Sequence, residues 1–127
     1  MVLKGLLAAG ITMGVAAVFP EALVFPFLVA VLGLFLGVYP GIALAEPVEG
    51  RAGVQWTIAV ALLIMGLVGL WASPLLLGVA WLLHGLWAVS HRLNRMEEAV
   101  PEGLPAFSLS YSLVMASFIG YMWVMGP

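Results

Sequence analysis

Leu75-Leu76-Leu77-Gly78-Val79-Ala80-Trp81-Leu82-Leu83-His84-Gly85-Leu86-Trp87-Ala88-Val89-Ser90-His91-Arg92 is an apolar run long enough to cross a bilayer, and it carries both histidines and two of the five tryptophans of the chain. On an α-helix, positions 84, 87, 88 and 91 fall one above the next on a single face. A lipid-embedded helix tolerates such a polar stripe where it faces protein, water or a ligand. The stretch therefore predicts a membrane-spanning helix with one polar face, and that face is the candidate site.

Composition supports lipid as the surroundings. The chain has 127 residues, 65% of them hydrophobic and 8% charged, with a mean hydropathy of +1.20. Four basic and six acidic side chains are too few to cover a water-exposed surface of this size. The net charge of −2 gives no reason to expect nucleic acid as a partner. With no cysteine, disulfides, thiolate catalysis and iron–sulfur ligation are excluded.

Outward from the opening stretch, five apolar segments are separated by turn or charge signals. They cover about 2–19, 21–45, 55–72, 75–92 and 106–125. The first begins like a leader peptide, but Phe19-Pro20-Glu21 is not a small-x-small cleavage site, so it reads as a span. Glu21 suits the positive end of a helix dipole, Pro26 lies early enough in the second segment to be tolerated, and Pro40 is the expected site of a kink in it. Glu46, Glu49, Arg51 and Gly53 read as a charged loop. Ser73-Pro74 reads as an N-cap followed by proline at the first helical position. Pro101, Gly103 and Pro105 are expected to separate the last two helices.

Five crossings place Lys4, Arg51, Arg92 and Arg95 on one side and no basic residue on the other. The positive-inside rule makes that side cytoplasmic. The expected fold is all-α: an integral membrane bundle of five transmembrane helices, N-terminus cytoplasmic and C-terminus outside, in the bacterial cytoplasmic membrane. Three spans after a re-entrant first hairpin give the same sidedness. Trp56, Trp71 and Trp123 stand near segment ends, as in an aromatic belt.

Small residues mark possible helix contacts: Gly10 with Gly14, then Gly33, Gly37 and Gly41, then Ser112, Ala116 and Gly120. In lipid, close backbone approach supplies packing that the hydrophobic effect does not. Packing within the chain and a homo-oligomer seam along the second segment are both open readings.

The candidate binding residues are His84, Trp81, Trp87, His91, Tyr39 and Tyr111; the expected topology puts His84 near the bilayer midplane and His91, Tyr39 and Tyr111 in the cytoplasmic half. A neutral imidazole near the midplane needs a partner for its N–H. That partner is either a carbonyl or hydroxyl of a neighbouring helix, with Tyr39 and Tyr111 the candidates, or a ligand. His84 and His91 are seven residues apart, too far to share one ion on a straight helix, and no metal or catalytic residue is assigned. The residues identify no cofactor. His91, Arg92, Asn94 and Arg95 fit anchoring at the headgroups, and the seven methionines fit packing better than copper ligation.

The segment from Trp81 to His91, together with Gly37-Val38-Tyr39-Pro40-Gly41-Ile42-Ala43, resembles a family of small bacterial polytopic membrane proteins with a His-Gly-Leu-Trp-x-x-x-His segment. Where the family pattern has an aspartate after the tryptophan, this chain has Ala88. The resemblance implies a membrane bundle and directs attention to His84, Trp87, His91 and Tyr39. It lends no activity.

Scarce catalytic groups and abundant helix-contact motifs favour a binding or accessory subunit of an oligomer or larger membrane complex, holding a lipid-like or cofactor molecule near the His/Trp face. The alternative is a small transporter or channel whose pore oligomerisation completes. A membrane enzyme using His84 as a base is less favoured, because no carboxylate is placed to orient the imidazole.

Overall fold

A computed structural model describes the backbone of residues 1–45, 51–94 and 102–125, and the side chains of 1–42, 53–90 and 102–125. All of the regular structure among these residues is helical: α1 Val2–Ala17, α2 Glu21–Leu36, α3 Val38–Ala45, α4 Arg51–Gly69, α5 Pro74–Asn94 and α6 Leu104–Met125. Glu46, Glu49, Arg95 and Pro101 lie outside the described residues, as do the side chains of Arg51, His91, Arg92 and Asn94.

Local chemistry accounts for the boundaries. After Ala17 the chain tightens, with Val18 N–H donating to the Val15 carbonyl (3.2 Å) and Phe19 N–H to that of Ala16 (3.1 Å), before Pro20 ends the run. Glu21 occupies the first turn of α2, as expected. Helix α2 is interrupted at Gly37 and resumes as α3. Pro40 explains the position, because it has no N–H to donate four residues back to Leu36 and its ring crowds that carbonyl. At the start of α5, Leu75 N–H donates to Ser73 Oγ (3.3 Å), the N-cap expected of Ser73-Pro74.

Two boundaries depart from the sequence expectation. Helix α4 begins at Arg51, so Arg51 and Gly53 belong to the helix and not to a loop. The Thr57 hydroxyl donates to the Gly53 carbonyl one turn back (2.8 Å), a side-chain bond within the first turns of α4. Helix α6 begins at Leu104, placing Pro105 in its first turn, where the missing N–H has no helical partner to lose. Pro105 therefore does not separate helices.

Helices α5 and α6 form the most extensive pair, with α1 on the far side of α6 and α4 beside α5. Helices α2 and α3 lie on α4, and α1 and α2, though consecutive, touch little. Leu28, Leu32, Leu77, Trp81, Met115 and Ile119 are fully enclosed. Two glycines set how closely α6 is approached. A Cβ on Gly5 would meet Ser110 Oγ and come within 2.6 Å of the Phe107 carbonyl, and one on Gly85 would come within 3.1 Å of Ser112 Cβ. Backbone contact of this kind holds helices together when no water is available to drive them.

The outer faces are as apolar as the inner ones. Leu3, Leu7 and Ile11 of α1, Leu34 of α2, Ile64 of α4, Leu82 and Leu86 of α5, and Leu113 and Val124 of α6 are exposed. Two helical runs, Glu21–Ile42 and Leu104–Met125, are long and apolar enough to cross a membrane, at 22 residues each. That length corresponds to about 33 Å against a hydrocarbon core of about 30 Å. Val2–Ala17, Gly53–Gly69 and Pro74–Ser90 are shorter apolar helices.

Candidate functional site

The described part of the α5 stripe, His84, Trp87 and Ala88, faces inward. His84 and Trp81 are 0% exposed and Trp87 is 7% exposed, because Phe35 of α2, Tyr39 of α3 and Ser112 of α6 close over them. His84 Nδ1 shares a 2.9 Å hydrogen bond with Ser112 Oγ of α6. Gly85 permits it, since the close approach of α5 and α6 there brings the hydroxyl within reach of the ring. Ser112, read from sequence as a packing residue, is thus also the hydroxyl partner of the imidazole.

Aromatic rings enclose His84. Phe35 lies edge-on with ring centroids 5.7 Å apart, Trp81 at 5.9 Å and Trp87 at 6.2 Å, while Tyr39 is tilted at 6.5 Å. Tyr39 also meets Trp87 at 5.2 Å. Helices α2, α3, α5 and α6 therefore meet in one aromatic layer. Tyr111 is stacked on Phe35 at 4.4 Å, and its hydroxyl shares a 2.6 Å hydrogen bond with Thr12 Oγ1 of α1. The Thr12 hydroxyl lies 3.0 Å from the Ala8 carbonyl and donates to it, so the Tyr111 hydroxyl is the donor in the pair.

Trp81, His84, Trp87, Tyr39 and Tyr111 come together as the sequence suggested. The backbone of His91 lies two turns further along α5, with its side chain outside the described residues. Phe35, Thr12 and the hydrogen-bonding role of Ser112 were not foreseen. A phenylalanine in an apolar run gives no sign of being central, and a threonine near a helix middle more often bonds its own backbone, which Thr12 also does.

The layer is closed. His84, Trp81, Tyr39 and Ser112 each have 0% exposure, so no water-sized space touches them in this conformation. Trp81 Nε1 is a buried donor with no hydrogen-bond partner among the described residues, a feature costing on the order of 1–3 kcal/mol. Among the described residues no group of three or more His, Cys, Asp or Glu side chains is placed to hold a metal ion.

The small residues divide into two sets. Ser112 is buried against Gly85, the Ala116 carbonyl lies 3.8 Å from a Cβ placed on Gly78, and Gly33 faces Leu63. Gly37 has only its own helix carbonyls nearby, and a Cβ on Gly10, Gly14, Gly41 or Gly120 would meet no described atom within 4 Å. The latter four make no close contact within the described chain. Gly5 and Gly85, which stand in no GxxxG pair, make the closest approaches to α6 instead. No family model, curated protein or solved structure matches the chain.

Proposed function

We propose that the chain is a five-span bundle of the bacterial cytoplasmic membrane, N-terminus inside, acting as a binding or accessory subunit of an oligomer or membrane complex. The observation that carries this reading is the outward apolar surface: exposed leucine, isoleucine and valine side chains on every helix whose side chains are described across its length. Such a surface suits lipid and neighbouring helices, not water. Exposed Trp56, Trp71 and Trp123 fit the interfacial belt.

In this reading His84, Trp81, Tyr39 and Tyr111 clasp the helices in one polar-aromatic layer. A lipid-like ligand approaches the layer at Phe35, the half-buried ring beside His84, and the enclosure of the other rings means that entry requires helices to part. Native mass spectrometry of protein extracted in mild detergent tests the proposal. An assembly heavier than one chain, or a chain with a retained lipid or cofactor, is the expected result. A lone chain carrying neither contradicts it.

A further inference from the structure

A cavity lies away from the closed His84 layer, where the start of α2 meets the ends of α4 and α6. It has a volume of about 430 Å³ and is lined by Glu21, Ala22, Phe25, Pro26, Leu70 and Met122. That volume is within the range of small-molecule pockets, roughly 300–1,000 Å³. It is open to the surface, and Glu21 is the one charged residue among those that line it, the other five being apolar.

The charge pattern is one-sided. The turns at 18–20 and 70–73, which flank this end of the bundle, contain no Lys, Arg or His. Pro26 has no N–H to give the Ala22 carbonyl four residues earlier, so a second acceptor lacks its helical donor beside the same cavity. The positive end of the α2 dipole opposes a cation with about half a charge, less than the full charge of the carboxylate. An anion would meet Glu21 directly, and the lining side chains offer no donor to orient a neutral headgroup.

We propose that this cavity binds the ammonium group of a single-chain cationic amphiphile. Glu21 is the counter-ion, the Ala22 carbonyl accepts a second N–H, and Phe25, Leu70 and Met122 surround the first carbons of the alkyl chain. The site is separate from the His84 layer and holds whether or not that layer opens.

The test is calorimetric titration of dodecylammonium chloride into the whole protein in dodecyl maltoside micelles, with the heat of protein-free micelles subtracted. Saturable binding is expected, weakened tenfold or more in Glu21→Gln and retained within about threefold in Glu21→Asp. Dodecanol, which has the same chain without the charge, is expected to bind at least tenfold more weakly. Circular dichroism checks that both variants keep their helices. Equal affinity for wild type and Glu21→Gln, equal affinity for dodecanol, or no heat beyond that of empty micelles would overturn the proposal.

Discussion

Ser112 shows how one small side chain can do two jobs. Its Cβ is where Gly85 lets α5 settle on α6, and its hydroxyl meets the imidazole that α5 buries. Ser112→Ala keeps the packing and removes the partner. Because a buried polar group stripped of a partner carries its desolvation penalty, the loss should be about 1–3 kcal/mol. Ser117 on the exposed side of α6, whose hydroxyl donates to the Leu113 carbonyl of its own helix, is the control, with an expected change within about 0.5 kcal/mol. Thermal unfolding in detergent measures both, and indistinguishable midpoints would refute the clasp. The inward stripe of α5 was legible from spacing, since a polar face on an apolar helix has few places to go. Its partner was not, because Tyr39, Tyr111 and Ser112 all offer hydroxyls and only the path of α6 chooses among them.

At the scale of helices, the stops and starts were readable where a residue has its own backbone chemistry. Pro20, Glu21, Pro40 and Ser73-Pro74 act within one turn of themselves, and the chain breaks or begins there. Neighbour choice was not readable in this way. Helix α1 packs on α6, about a hundred residues away in sequence, and scarcely on α2, and nothing local encodes that. GxxxG spacing marks a helix face on which backbones could approach, yet Gly10 and Gly14 face open space while the isolated Gly5 bears the contact. Two substitutions separate these roles. Gly5→Ala drives a methyl into the Phe107 carbonyl and should destabilise by about 1–3 kcal/mol. Gly10→Ala meets nothing within the chain and should be neutral or stabilising by up to about 1 kcal/mol. The order of the two unfolding midpoints checks the assignment, and the reverse order would contradict it.

On the proposed topology the whole molecule sits across a membrane, with α1, α2–α3, α4, α5 and α6 each making one crossing. The absence of native cysteine allows sidedness to be read one position at a time, on a background that does not react. Val18 and Ala72 sit in exposed turns, and Lys4, Glu102 and Met125 are also exposed. Single cysteines at these five positions, treated in intact cells with a membrane-impermeant maleimide, report on that topology. It predicts labelling of Val18→Cys, Ala72→Cys and Met125→Cys from outside, and of Lys4→Cys and Glu102→Cys only after permeabilisation. Protection of Val18→Cys or Ala72→Cys in intact cells, or labelling of all five in the soluble fraction, would contradict it.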